Sequence, residues 1–262
     1  MDVNNKIVVY TALFGNYDDL IDPIGDYKGC DFICFTDRKD LKSTIWNIKV
    51  VDEIDMPPNL MNRKYKWLPH NYLKEYEISI YIDSNIVLLQ NPIQLVEKYF
   101  TQNCLMVLPK HPLRSCIYEE AIACVERNKV RISSLLKQIR FYKKEKFPNK
   151  FGLGENNILF RKHKNQKVIH LMENLWTELN KWDTKRDQLS FFYLIWKNQF
   201  KDIVLMDENA RDEKYFNIKL HNKFKHNTFI KKVKNKLFYT KQSLINKNVY
   251  ILISKLGDIK HD

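Results

Sequence analysis

One stretch constrains the fold more than any other: the run Ile78-Ser79-Ile80-Tyr81-Ile82, which stops on Asp83-Ser84-Asn85 and resumes as Ile86-Val87-Leu88-Leu89. The run is too short for a helix, and its β-branched and aromatic content suits a buried strand. A carboxylate and an amide two residues apart at the strand's mouth present two oxygens to the same side. Hard divalent cations such as Mn²⁺ and Mg²⁺ favour that donor set, and they bridge well to a diphosphate. In α/β sheets, ligands collect at the carboxyl ends of strands. Asp, Ser and Asn are also ordinary turn residues. The segment alone therefore reads as a cation-binding turn or as a plain turn.

The chain of 262 residues suits one large domain or two small ones. Its longest apolar run is about five residues, far short of the roughly 18 that span a bilayer. The opening MDVNNKIVVY enters a strand pattern at once and lacks the charged and apolar blocks of a signal peptide. The expected location is cytoplasmic, with peripheral attachment to the cytosolic face of a membrane as an extension. Five scattered cysteines without a CxxC pair point to buried, reduced thiols rather than a zinc site or a disulfide framework.

The net charge of +13 is concentrated at one end. Residues 222–262 hold ten Lys, no Arg and two Asp. Phe229, Ile230, Val233, Leu237 and Phe238 recur there at helical spacing. This predicts a basic amphipathic helical extension after a domain spanning 1–221. Such a segment can lie on an anionic membrane; nucleic acid or a partner protein would satisfy it equally.

Taken in order, Lys6–Tyr10 reads as a strand, with a loop from Thr11 through Asp19 whose small and polar residues could receive a nucleotide. Asp31–Thr36 is a second strand, ending on Asp37, a carboxylate placed to accept from a base or ribose or to cap a helix. Met61–Lys74 reads as one helix, which would set Arg63, Lys66 and His70 on a shared face. Such a face can grip a diphosphate by charge-assisted bonds, or simply be solvated. Cys104–Leu108 is a strand leading to His111 and Arg114, and helices follow over 115–128 and 132–146. The segment Phe151-Gly152-Leu153-Gly154-Glu155-Asn156-Asn157 is Gly-rich without matching a phosphate-binding fingerprint, and a strand follows at Ile158–Phe160. Val168–Lys181 is helical, and Asp187 and Gln188 open an aromatic helix through Trp196. The pair offers an acceptor and a mixed donor–acceptor to sugar hydroxyls, or an ordinary helix start. Asp202–Leu205 is the last strand expected, with His221 near the end of the pattern.

Seven segments stand in one order: YTALFGNYDDL (10–20), DFICFTD (31–37), NRKYKWLPH (62–70), YIDSN (81–85), HPLRSCIYEEA (111–121), GLGENNILFRKH (152–163) and RDQLSF (186–191). Together they resemble a glycosyltransferase-like domain family once known only as a domain of unknown function, with plant cell-wall and mucilage members and bacterial surface-polysaccharide members. The resemblance covers residues 6–221. It implies an α/β fold of GT-A type: a single domain with a Rossmann-like mixed sheet flanked by helices. It also implies a nucleotide-sugar donor, a saccharide or lipid-linked acceptor, and Mn²⁺ or Mg²⁺ as cofactor, with no nucleic acid. The family's D-x-D-like metal motif falls on Asp83 and Asn85, with an amide where a second carboxylate is usual. His221 is the matching third ligand. Thr11, Asp37, Arg63, Lys66, His70, Asp83, Arg114 and Asn156 are the implied donor-binding residues. Asp187 and Gln188 match the D-Q region that touches the donor sugar in retaining enzymes. His111 is a further catalytic candidate, and it or Glu119 would serve as general base if the reaction inverts. A basic membrane- or nucleic-acid-binding module, or a nucleotidyltransferase or hydrolase on the same fold, is the alternative function, because fold does not fix function.

Overall fold

A computed structural model describes residues 6–25, 27–101, 103–220 and 247–257. His221 and most of the basic extension lie outside the described residues, as does the 221/222 boundary expected between domain and tail. The chain divides into two compact units: residues 1–110, 154–176 and 200–225 form one, and 111–153, 177–199 and 226–262 the other.

The first unit is built on a seven-stranded sheet, and the architecture is mixed α/β, as expected. Its strands are β1 (Ile7–Leu13), β2 (Cys30–Thr36), β3 (Asn47–Val50), β4 (Ile78–Ile82), β6 (Met106–Pro109), β7 (Ile158–Arg161) and β8 (Ile203–Met206), in the order β3-β2-β1-β4-β7-β6-β8. β7 alone runs antiparallel to its neighbours. A second, two-stranded sheet pairs β5 (Ile86–Leu88) with β9 (Phe216–Ile218). β1 and β4 are buried along their whole length, which is why they read as continuous apolar runs. Val9, Cys34, Ile80, Val107 and Phe160 meet in the core of this unit.

The helices of this unit are α1 (Pro58–Trp67) and α2 (Ile93–Tyr99), and the boundary at 176/177 falls inside α5 (Gln166–Lys181). The single helix expected over 61–74 is interrupted. α1 stops at Leu68, and a separate 3-10 turn, Pro69–Asn71, follows. Pro69 has no N–H, and its ring would strike the preceding turn. Arg63, Lys66 and His70 therefore do not share one helical face.

The second unit is helical: α3 (Ile117–Glu126), α4 (Ile132–Lys144), α6 (Asp187–Lys197) and a helix over 247–257. A buried polar network links its helices. Gln138 Nε2 donates to the Tyr142 hydroxyl (2.8 Å) and to Ser190 Oγ (3.0 Å). Thr184 Oγ1 donates to Gln138 Oε1 at 2.6 Å. Tyr142 and the Trp182 indole both donate to Glu178 Oε1, at 3.0 and 2.6 Å. Among the described residues, no helix is long and apolar enough to cross a membrane.

Candidate active site

Because β1, β2 and β4 are parallel, their carboxyl ends share one edge of the sheet, and the reversed β7 starts from that edge. Asp83 lies at this edge immediately after β4. Its backbone N–H donates to Asn157 O (2.9 Å), and its carbonyl accepts from Ile86 N–H (2.9 Å), which folds the turn back into β5. Residues two apart in a strand share a side, so Tyr81 points with Asp83 and its hydroxyl donates to Asp83 Oδ1 at 2.9 Å. Lys66 Nζ approaches the same oxygen at 3.5 Å and lies 5.0 Å from the centre of the Tyr81 ring. The Lys66 side chain is 9% exposed and that of Asp83 38% exposed. A buried cation and a neutral hydroxyl thus fix one oxygen of a carboxylate that remains open to solvent.

Asn85, in contrast, is buried. Its Nδ2 donates to Lys219 O at 2.8 Å, and Lys219 N–H donates back to Asn85 O at 2.8 Å. This reciprocal pair aligns β9 with the turn. Asp18, also buried, accepts from Ser84 Oγ at 3.3 Å. The chemistry of one open carboxylate and one amide oxygen on a turn fits a hard divalent cation. Among the described residues, no group of three His, Cys, Asp or Glu side chains completes such a site.

The other residues expected to bind the donor divide by role. Asp37 spends both carboxylate oxygens on the Gly15 N–H, at 2.9 and 3.2 Å. Gly15 has φ +68°, which favours glycine, and a Cβ there would lie a tight 3.1 Å from Pro58. Asn62 Oδ1 accepts from Phe14 N–H at 2.9 Å, tying α1 to the same loop. Thr11, read as the start of that loop, is instead inside β1 and buried. The strand extends to Leu13 because Ala12 and Leu13 continue the apolar run. Arg63 Nη1 donates to Asn59 O at 2.7 Å. His70 Nε2 lies 3.6 Å from Glu173 Oε1. Burial pulls the His70 pKa down, and Glu173 opposes that. Asn156 is buried in a segment anchored by Glu155, which takes both arms of Arg211 at 2.7 and 2.9 Å.

In the helical unit, His111 Nδ1 accepts from the backbone N–H groups of Leu113 and Arg114, at 3.1 and 3.0 Å, and its Nε2 lies 2.6 Å from Arg114 Nη2. The ring thus organises a turn. Arg114 Nε sits 2.7 Å from Glu120 Oε2, paired by charge although off hydrogen-bond geometry. Arg186 Nη2 approaches Glu120 Oε1 at 3.9 Å. Burial works against the Arg186 charge, but Cys124, Asp187 and Glu120 beside it raise its pKa overall. Asp187 and Gln188 begin α6, and both are buried. Glu119 is engaged at the start of α3, where it accepts from Ser115 N–H at 2.6 Å. His111, Arg114, Asp187 and Gln188 thus lie in this unit, and the remaining described candidates lie in the sheet unit.

Reading the sequence by segments missed Tyr81, Tyr10, Glu120, Arg161 and Arg186. Two of them were signalled. Tyr81 stands at strand parity with Asp83, and Arg161 is a charge closing an otherwise apolar strand.

The family description "TOD1/MUCI70, glycosyltransferase-like domain" matches residues 1–234. The chain belongs to this family. A curated relative, "Probable hexosyltransferase MUCI70" of Arabidopsis thaliana, is 27% identical over 213 residues, which is 71% of this chain and 36% of that protein. The chain thus spans about a third of the relative's length. Among solved structures, mouse xyloside xylosyltransferase 1 aligns with a TM-score of 0.42 at 8% identity, over 78% of this chain and 85% of that one. The bifunctional glycosyltransferase WbbM aligns with a TM-score of 0.45 at 10% identity, over 79% of this chain and 39% of that one.

Proposed function

We propose that this glycosyltransferase-like chain transfers a hexosyl group from a nucleoside diphosphate to a surface-polysaccharide or glycolipid precursor, with retention at the anomeric carbon. The observation that carries this is the exposed Asp83 carboxylate at the carboxyl end of β4, with one oxygen fixed by Tyr81 and Lys66. Family membership supplies the reaction class.

In this reading Asp83 and Asn85 hold Mn²⁺ or Mg²⁺ on the donor diphosphate. The cation would supply charge neutralisation as the nucleotide departs. His221 is proposed as third ligand, the part that the resemblance gives it. Lys66 neutralises the leaving diphosphate from a position fixed before substrate arrives, which is where such charges are most effective. Arg63 adds a second cation on α1, and His70, held neutral by burial, offers a hydrogen-bonding ring rather than a charge. The anomeric centre of the donor sugar becomes oxocarbenium-like as the nucleotide departs.

The test is calorimetric titration with uridine, guanosine, adenosine and cytidine diphosphates, with and without Mn²⁺, followed by product analysis with the matching nucleotide sugars. Metal-enhanced binding of one nucleotide and a glycosidic product are expected. Failure to bind any nucleotide in either condition ends the proposal. Free sugar or pyrophosphate as sole product would move the chain to hydrolase or nucleotidyltransferase chemistry.

A further inference from the structure

Arg161, at the end of β7, is fully buried, and among the described residues no carboxylate pairs with it. Nη1 donates to Lys66 O at 2.8 Å, and Nη2 donates to the Tyr10 hydroxyl. The Tyr10 hydroxyl in turn donates to the same Lys66 O at 2.8 Å. The guanidinium also lies 5.8 Å from the centre of the Tyr10 ring and 5.9 Å from the Trp67 ring. Nη1 also donates to the Met172 sulfur at 3.8 Å, so every favourable contact of this buried cation is with a neutral oxygen, a neutral sulfur or a ring face.

The target carbonyl explains the arrangement. The last carbonyls of an α-helix lack partners within the helix. α1 ends at the Leu68–Pro69 step, so the next turn cannot provide for them. Lys66 O is one of these carbonyls, buried, at the negative end of the helix dipole. Arg161 and Tyr10 answer it together. Lys66 is also the residue whose ammonium reaches Asp83. Fixing its carbonyl fixes the root of the long side chain that carries this ammonium. Tyr10 further packs edge-on against Tyr81, with ring centres 5.3 Å apart, and Tyr81 holds Asp83.

We propose that Arg161 is a positioning residue: with Tyr10 it clamps the end of α1 so that the Lys66 ammonium and the Asp83 carboxylate are presented as one preset pair to the nucleoside diphosphate. The link to the diphosphate rests on the function proposed above; the clamp on Lys66 does not. Lysine at position 161 cannot replace the fork that spans Lys66 O and the Tyr10 hydroxyl.

The test measures Lys66 directly. Wild-type, Arg161→Met, Arg161→Lys and Tyr10→Phe proteins are treated with formaldehyde and borane, and methylation of each lysine is followed by mass spectrometry. Reactivity of buried Cys34 and Cys124 toward a maleimide reports whether the fold is intact. With the fold intact, Lys66 is expected to be methylated at least tenfold faster in Arg161→Met, with smaller gains in Arg161→Lys and Tyr10→Phe. A wild-type Lys66 rate in a folded Arg161→Met protein overturns the proposal. If that variant does not fold, Tyr10→Phe decides: at least a threefold rise supports the clamp, and an unchanged rate overturns it. Nucleoside diphosphate affinity separates the two readings. Arg161→Met should lower it toward the level of Lys66→Met and Arg161→Lys by less, and the Arg161→Met/Lys66→Met double variant should be no worse than Lys66→Met alone. A wild-type protein that binds no nucleotide defeats the transferase reading, while the methylation rates still judge Arg161.

Discussion

Arg161 in the sheet unit and Glu120 in the helical unit are both charged and almost wholly buried, yet they are held in opposite ways. Glu120 stands between two guanidinium groups, Arg114 at 2.7 Å and Arg186 at 3.9 Å, and also accepts from the Cys124 thiol at 3.5 Å. Its charge is matched locally by charge. Arg161 is met by a carbonyl, a hydroxyl and two rings. Charge matched by charge holds an element in place and leaves little field outside. A cation matched only by neutral groups keeps its field, which reaches its neighbours. Burial takes His163 down to about 4, and Arg161 adds to that after Leu73 O has partly opposed it. Burial lowers Arg161's own pKa as well and raises that of Tyr10 to about 12, although Arg161 pulls Tyr10 the other way.

The contrast can be broken most sharply at Glu120. Glu120→Ala leaves Arg114 and Arg186 facing one another, and breaking a buried pair this way costs about 3–5 kcal/mol. Urea unfolding should show that loss, and a change below about 1 kcal/mol would mean the cluster is not a closed ion-pair system. Asp83→Ala tests the other side. Its side chain is 38% exposed, so the melting temperature should barely move, while kcat falls about 10²–10³-fold, the usual effect of losing one preset electrostatic contact. A stable Asp83→Ala enzyme with unaltered kcat would remove the carboxylate from the chemistry.

His163 gives a pH test. Its folded-state pKa lies below the unfolded value, so the unfolded chain takes up the proton first as pH falls. Stability is therefore complete above about pH 6.5 and is lost progressively toward pH 4, by about 3 kcal/mol. His70, also lowered by burial, adds in the same direction. His163→Gln, whose amide can still donate to Leu73 O, should flatten this slope in denaturant titrations at several pH values. The smallest effect is expected at Tyr81. Tyr81→Phe removes one hydrogen bond to Asp83, worth about 1 kcal/mol, so kcat/KM should fall about fivefold with the fold intact. A loss as large as that of Asp83→Ala would make the hydroxyl more than a positioning group.

The parts of this design that the sequence displays are those where local preference and burial agree. Ile78–Ile82 has the same limits as strand and as apolar run, because every residue in it is buried. The short strands Asn47–Val50 and Phe216–Ile218 left no comparable trace. They are only partly buried and mix polar with apolar residues, so backbone pairing rather than composition defines them. The apolar spacing across residues 61–74 suggested one helix and outweighed Pro69, whose missing donor decides the matter. Asp83, Asn85 and Lys66 are legible as chemistry at a strand end. Arg161 and Tyr10 are not, because their significance depends on a contact with Lys66 across long stretches of sequence.

Position 69 governs this arrangement through a hydrogen it does not have. A residue with an amide proton there would let the helix run on, and the amide of His70 could then reach the Lys66 carbonyl from within its own coil. The guanidinium at 161 would then lose its backbone acceptor and keep the Tyr10 hydroxyl and the Met172 sulfur. The imino acid and the distant arginine thus belong together: a coil that stops short at 69 exposes an oxygen, and a cation from another strand meets it.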